Sequence, residues 1–435
     1  MEIPKKTAQT LINSLKGGVV PRTGLPYVTV GRKAEIEALL SDVGIIEEGG
    51  ASFRFITGRY GSGKSFLLQT IRNYVMAKGM AVADADLSPE RRLQGTKGQG
   101  LATYRELMRN MAVKSVPEGG ALTFILDSWI NNVMIQASRE EMLFPGDEEL
   151  WPFVDKKIRE TLFSLNGLVH GFELARVLSI YYRAFRDDDD DKKSYAVKWL
   201  RGEYTTKTDV KAELGINAVI SDDDWYEYLK IFAVFLKSAG YRGLLVLIDE
   251  LVNIYRIPNS ITRQYNYEKI LTMYNDAMQG KASYMGVIMC GTPQSMEDTR
   301  RGVYSYEALR SRLASGRFSQ EHSNLMAPVI NLVPLTYEEM FVLAEKLTAV
   351  YESLYDCSMT VTKQDMADFI KIEFSRIGAD SHITPREVTR DYIEALDIIR
   401  QEPGLSMREL LGSENFNFAE DENGEGDDMF AEFEI

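Results

Sequence analysis

The sequence predicts an α/β fold: a P-loop core built on a parallel sheet, a large helical insertion, and a C-terminal helical or winged-helix lid. Three observations predict it. A short strand, a glycine loop and a helix follow one another from Phe53 to about Lys78, and a second strand comes directly after. Two later runs, 244–248 and 284–290, are continuously apolar, as strands buried on both faces of a parallel sheet are. The stretches 90–240 and 334–412 carry helical patterning with only local glycine and proline punctuation.

The elements follow in order. Residues 1–29 form a lead-in, with an amphipathic stretch (Ala8, Leu11, Ile12, Leu15) closed by Gly17-Gly18 and followed by Pro21, Gly24 and Pro26. A helix is expected from Arg32 to Leu40, where Ile36, Leu39 and Leu40 share one face. Phe53–Thr57 reads as a strand running into a glycine loop. The helix from Ser65 carries Phe66, Leu67, Ile71 and Val75 as its apolar stripe and ends at Gly79. Residues 79–84 supply the next strand, completing a βαβ unit with its parallel sheet and right-handed crossover. The core is expected over 30–333, the lid over 334–412, and an acidic disordered tail over 413–435.

Length and charge narrow the class. A chain of 435 residues divides into two to three domains at about 150 residues each. With 45% hydrophobic and 26% charged residues, it is globular and neither fibrous nor wholly disordered. The net charge of −14 is uneven: 413–435 holds nine acids and no Lys or Arg, and the remainder is near −5. That balance argues against indiscriminate nucleic-acid binding while leaving room for a local basic patch. Cys290 and Cys357 are the only cysteines, and His170, His322 and His382 the only histidines; a disulfide framework is excluded and a zinc site disfavoured. The amino terminus lacks the apolar stretch of a signal peptide, and no run approaches the ~20 apolar residues of a membrane span. A soluble, cytoplasmic chain without membrane contact is expected. The run Asp187–Asp191 reads as a solvated loop, because consecutive carboxylates cannot all face one ion.

The chemistry is concentrated in Gly58-Arg59-Tyr60-Gly61-Ser62-Gly63-Lys64-Ser65, a G-x-x-x-x-G-K-[ST] motif between a strand and a helix. Glycines let backbone amides close around phosphate oxygens, and the helix N-terminus at Lys64, Ser65 and Phe66 adds positive dipole. Lys64 then reaches the β- and γ-phosphates, and Ser65 ligates Mg²⁺. The second half is Leu244-Leu245-Val246-Leu247-Ile248-Asp249-Glu250, an aliphatic strand ending in two acids where α/β sheets bind ligands. Asp249 supports Mg²⁺ and Glu250 polarises the attacking water; the competing reading is a solvated pair after a core strand. Thr292, after the strand 284–290, either senses the γ-phosphate or is an ordinary turn threonine. Of Arg310, Arg312 and Arg317, one acts as an arginine finger in a neighbouring subunit's nucleotide, or all three line a solvated helix face. Arg386 either touches the γ-phosphate from the lid or sits in a Thr-Pro helix start.

These residues resemble the AAA+ branch of P-loop ATPases. Val30-Gly31-Arg32-Lys33-Ala34-Glu35-Ile36 resembles the segment before the first strand that packs on the adenine in origin-recognition-type and related ATPases. Asp249/Glu250 matches the Walker B position, Thr292 the sensor 1 place, Arg312 the arginine-finger place and Arg386 the sensor 2 place, though Arg386 lacks the usual Gly-Asn before its Pro-Arg. Up to its tail, the chain is similar to the ATP-binding proteins of BREX-type bacterial anti-phage systems. The stretches that carry this are Gly17-Gly18-Val19-Val20-Pro21, Val30-Gly31-Arg32, Gly58–Ser65, the run from Asp86-Leu87-Ser88-Pro89-Glu90-Arg91 to Leu93, and Gly98-Gln99-Gly100. The resemblance implies ATP and Mg²⁺ as ligands, a role in defence against foreign DNA, and partners among the other defence-system proteins, with double-stranded DNA possible and a homo-oligomer if the finger acts in trans. The wide spacing of Ser65 and Asp249, filled by 90–240, departs from compact AAA+ modules. Its position suits partner or nucleic-acid recognition. The reading is an Mg²⁺-dependent ATPase driving a conformational or assembly switch, with a nucleotide-gated interaction module of little turnover as its rival.

Overall fold

A computed structural model describes residues 3–145, 147–314, 324–375, 384–402 and 404–412. The chain folds into two compact units. One draws on Met1–Lys33, Tyr60–Gln69 and Val333–Ile435, the other on Ala34–Arg59 and Thr70–Leu332.

The larger unit holds a five-stranded sheet in the order β2-β3-β4-β1-β5, with β1 Ala51–Thr57, β2 Ala81–Asp86, β3 Leu244–Asp249, β4 Met285–Gly291 and β5 Val329–Asn331. All pairings are parallel. β3 and β4 are buried along their whole lengths, which explains why their sequences show no polar alternation. β1 departs from an all-apolar pattern at Arg54, whose guanidinium is buried against Asp42. The strands joined by the glycine-loop helix are not neighbours. β3 and β4 lie between β1 and β2, so the unit predicted as a simple βαβ spans most of the sheet.

The helices run in chain order α1 (Lys5–Lys16), α2 (Lys33–Glu47), α3 (Lys64–Ala77) and α4 (Gln99–Arg109). The insertion continues as α5 (Leu122–Glu141), α6 (Trp151–Leu165), α7 (Gly171–Arg186), α8 (Asp190–Leu200), α9 (Lys207–Leu214) and α10 (Trp225–Ser238). Then come α11 (Val252–Tyr255), α12 (Ser260–Met278), α13 (Pro293–Glu297), α14 (Glu307–Leu313), α15 (Tyr337–Tyr355), α16 (Lys363–Ser375), α17 (Pro385–Gln401) and α18 (Met407–Leu411).

Several boundaries move. α2 runs on past Gly44 to Glu47 because Val43 and Ile46 stay buried. The helical reading of 90–240 holds from Gln99 onward, but 87–98 is loop, and Val113 and Val116 form an antiparallel bridge. Asp189 caps α8 by accepting from the Lys192 amide, and Asp190 and Asp191 begin that helix, so the five-Asp run is half cap and half first turn. α5–α10 share one core with the sheet, in which Trp129, Trp199 and Trp225 are fully buried.

The smaller unit has its own core, formed by α1 and α15–α17 around Leu11, Leu347, Phe369 and Tyr392. α15, α17 and α18 each open on a capping box, at Thr336/Glu339, Thr384/Glu387 and Ser406/Glu409. The expected helical C-terminal portion is therefore present. No strand occurs among its described residues, so the winged-helix alternative gains no wing. No helix among the described residues is long and apolar enough to cross a membrane.

Candidate functional site

In the larger unit the carboxyl ends of the strands carry the acids. β2 and β3 finish in register, with Asp86 opposite Asp249. Asp249 is buried at 8% exposure, and its Oδ1 accepts the Glu250 amide at 2.8 Å. Glu250 itself sits at φ 61°, a left-handed conformation that costs a non-glycine residue about 1–2 kcal/mol. Such strain persists where surrounding structure enforces it, commonly at working sites. Here it turns the chain sharply at the tip of β3, immediately before Leu251, whose amide donates to Cys290 O at 2.9 Å.

Beside them, Leu87 donates its amide to Asp249 O at 3.1 Å, and Asn253 Nδ2 donates to Leu87 O at 2.9 Å. Arg91 Nε donates to Asp86 O at 2.9 Å. The Asp86 carboxyl is raised above the ordinary carboxylate range, first by the protein crowding it and then by the like charges of Asp249 and Asp84, with Arg91 opposing. The loop that follows is firmly anchored. Asn266, fully buried, accepts the Leu93 and Gln94 amides and donates to Gln94 O and Thr262 O. Asp222 accepts the Gly98 and Leu101 amides at the start of α4. The Leu-Ser-Pro-Glu-Arg to Gly-Gln-Gly segment is thus a rigid loop springing from the acidic edge of the sheet.

Gly58 begins the glycine loop and donates its amide to Gly291 O at 3.3 Å. Thr292 follows β4 and is buried, and its hydroxyl accepts the Ser295 amide as N-cap of α13. On α14, Arg312 is exposed and its Nη1 donates to Ala308 O within its own helix. Arg310 pairs with Glu307 one turn away. Arg317 and His322 lie outside the described residues, as do His382 and the 413–435 tail.

In the smaller unit, the loop residues Tyr60–Gly63 lead into α3, which opens at Lys64. Gly61 and Gly63 have φ of 71° and 92°. A Cβ on Gly61 would lie 2.4 Å from Thr384 Cβ, whereas the space where a Gly63 Cβ would sit is open to 4 Å. The loop is packed on one side and hollow on the other. Ser62 is buried and its Oγ has no hydrogen-bond partner among the described residues. Such orphans are rare in folded proteins and mark a missing ligand or strain. Lys64 Nζ lies over the Tyr60 ring at 5.5 Å from its centroid. Ser65 sits in the first turn of α3, and Phe66 packs partly buried on the smaller core.

Arg32, expected beside a base, is buried and directs Nη2 to Ser62 O at 3.2 Å and Val333 O at 2.7 Å. It therefore braces the loop backbone. Gly31 has φ 67°, and a Cβ there would lie 2.5 Å from Glu339 Oε1, so no side chain fits. Lys346 donates to Thr29 O at 2.5 Å and fixes the same segment; burial lowers its ammonium pKa. Arg386 lies in the first turn of α17, with its Cδ 3.7 Å from where a Gly18 Cβ would be.

The donor set fits the implied groups. Open space at Gly63, a buried Ser62 hydroxyl lacking a partner, and a helix N-terminus suit phosphate oxygens. Each by itself, the Ser65 hydroxyl in the smaller unit and the Asp249 carboxylate in the larger is an oxygen donor of the type that Mg²⁺ takes. The residues that sequence reasoning missed are mainly those that hold others. Asp86 ends its strand in an acid just as β3 does, and the same rule applied to Ala81–Asp86 would have found it. Asn253 and Asn266 carry no local signal, while the capping-box patterns at Glu339 and Thr384 mark helix starts without pointing to Gly31 or Gly61.

A family model for the BREX system ATP-binding protein BrxC/D matches residues 3–415. The chain belongs to that family. A search of curated proteins found no match. Membership assigns the chain to a family of ATP-binding proteins of a defence system, in accord with the glycine loop that the sequence singles out.

Proposed function

We propose that this BrxC/D-family protein binds ATP with Mg²⁺ and hydrolyses it to drive a conformational or assembly switch. The switch would act on double-stranded DNA or a partner complex during anti-phage defence. The observation that carries the reading is the strained Glu250, held in a left-handed turn by its bond to the buried Asp249 carboxylate. A nucleotide store needs no such second acid.

In this mechanism the loop amides from Tyr60 to Ser65 cradle the phosphates, and Lys64 draws charge from the β- and γ-phosphoryl oxygens. Ser65 and Asp249 would hold Mg²⁺, which neutralises phosphate charge when bound. Glu250 takes a proton from the attacking water. Thr292 and Arg386 are candidates for contacts to the γ-phosphate, Gly31 and Arg32 for shaping the base side, and Arg312 for a finger donated to a neighbouring copy of an oligomer. Thr292 can do this while it caps α13, because its hydroxyl accepts the Ser295 amide and keeps its own proton to donate.

A second reading, a nucleotide-gated interaction module, is favoured by one feature of the insertion. Phe163, Val169 and Phe172 are 76%, 62% and 63% exposed around the turn between α6 and α7, more apolar surface than a hairpin tip needs for its own folding. Turnover separates the two. Single-turnover and steady-state hydrolysis of ATP, with Lys64→Ala abolishing binding and Glu250→Gln sparing binding but losing turnover, supports the enzyme. Tight binding by the wild type with no turnover overturns it in favour of the module.

A further inference from the structure

We propose that the turn 298–302, together with Arg256, is a contact surface of the larger unit for the phosphate backbone of double-stranded DNA. This deepens the DNA half of the functional reading and rests on it; it does not require hydrolysis. The turn lies between α13 and α14 and is built round one carboxylate. Asp298 Oδ1 accepts the amides of Arg300 and Arg301 at 2.7 and 3.2 Å, and Oδ2 accepts the Tyr255 hydroxyl at 3.0 Å. Gly302 donates its amide to Asp298 O at 2.8 Å, and a Cβ on Gly302 would lie 2.8 Å from that oxygen, so the turn closes too tightly for a side chain there. From α12, Tyr267 donates its hydroxyl to Arg301 O at 2.6 Å. Arg301 donates Nη2 to Tyr255 O at 3.4 Å, with its guanidinium carbon 5.4 Å from the Tyr255 ring centroid, within the ~6 Å range of cation–π attraction. Tyr255 ends α11 and Arg256 follows it, so these bonds tie 255–256 and 298–302 into one corner.

The corner carries three guanidinium groups and no acid that neutralises them. Arg256, Arg300 and Arg301 are all exposed, and none forms an ion pair among the described residues. Asp298 has its oxygens committed to two amides and a phenol, and Glu297, the acid before it, pairs with none of the three. In a chain of net charge −14, a rigid corner of unneutralised positive charge is a local field for an anion. Phosphate suits it, because a planar guanidinium fork meets two phosphate oxygens at once. A protein partner would want an apolar anchor as well, and the apolar residues of α11 and the turn (Val252, Ile254, Ile257 and Val303) are buried. Backbone phosphates need only charge held in place.

The test is binding of the full-length protein to a short fluorescein-labelled DNA duplex, followed by anisotropy over a range of KCl concentrations. Each phosphate neutralised contributes about −0.9 to the slope of log K against log salt. The side chains of Arg256 and Arg300 make no hydrogen bond or ion pair among the described residues, so their removal leaves the fold intact. Arg256→Gln and Arg300→Gln should each make the slope shallower by about 0.9, and the triple variant with Arg301→Gln by about 2.7. Where Arg301→Gln disturbs the turn, the Arg256→Gln/Arg300→Gln pair should still lose about 1.8. A duplex of scrambled sequence should behave identically, since backbone contacts carry no sequence information. Arg183→Gln removes the same charge from an exposed position on α7 and should leave the slope unchanged. A wild-type slope in the pair and the triple variant overturns the inference while the DNA reading stands, and so does an equal drop from Arg183→Gln. A triple variant that keeps the wild-type DNA slope but loses binding to labelled polyglutamate gives the corner to an acidic protein, and the inference falls. No binding of duplex by the wild type at low salt, with or without the β,γ-imido analogue of ATP and Mg²⁺, overturns this surface and the DNA reading together.

Discussion

Arg54 places a buried charge in β1, the strand that delivers the glycine loop, and its removal gives the sharpest stability test. Its Nε and Nη2 donate to the two carboxylate oxygens of Asp42, both at 2.7 Å, and Nη1 donates to Met326 O and Ala327 O at 2.7 Å. The two side chains are 8% and 7% exposed. The Asp42 hydrogen bond is the main cause of the raised Arg54 pKa, with burial opposing it. Removing one member of such a pair leaves a buried charge with no partner, at a cost of about 3–5 kcal/mol. Arg54→Met should therefore lose that amount. The double variant Arg54→Met/Asp42→Leu should recover most of it, short by about 1 kcal/mol for each carbonyl left without a donor. The assay is urea unfolding followed by tryptophan fluorescence, because all four tryptophans (Trp129, Trp151, Trp199 and Trp225) belong to the larger unit. A loss below about 1 kcal/mol for Arg54→Met would match an exposed pair and refute the reasoning. So would a double variant no more stable than the single.

Gly61→Val should weaken binding of the ATP analogue more than tenfold, since left-handed strain of about 1–2 kcal/mol adds to overlap with Thr384; fluorescence titration showing wild-type affinity would contradict this. Asn266→Leu orphans the Leu93 and Gln94 amides and should cost at least about 2 kcal/mol. It should also open tryptic cleavage at Arg92 and Lys97, and an unchanged digestion pattern would count against loop anchoring by Asn266. The raised Asp86 pKa means that ionised Asp86 opposes folding. Its favourable contribution is complete below the unfolded carboxylate range and is lost as pH rises through the folded pKa. Asp86→Asn should thus raise Tm at about pH 8 and bring no gain at about pH 3. A gain of equal size at both would show that charge is not the cause.

Much of the sheet was legible because its central strands are buried on both faces and contain little else than aliphatics. β5 was not, being three residues long with one of them buried. α12 was missed for a different reason. Its inward face carries Arg263, Asn266 and Asp276 among the apolar residues, which flattens the contrast that periodicity needs. At the candidate site, the glycine loop and the Asp249/Glu250 pair could be read because their chemistry demands contiguous residues. The clamp on that loop could not. Arg32 and Thr384 meet it from elsewhere in the chain, with Val333 accepting from Arg32 and Glu339 crowding Gly31, and only folding brings them there. Arg32 shows this most clearly, since its motif points to the base side and says nothing of the Ser62 and Val333 carbonyls that its guanidinium meets.

In the proposed function, the glycine loop and the acid pair organise ATP hydrolysis. The most direct measurement is steady-state phosphate release by the purified protein with Mg²⁺, with and without double-stranded DNA, beside Lys64→Ala and Glu250→Gln. Turnover in the wild type should be lost in both variants, with Glu250→Gln still binding ATP. Turnover that survives Glu250→Gln, or ATP binding that survives Lys64→Ala undiminished, would contradict it.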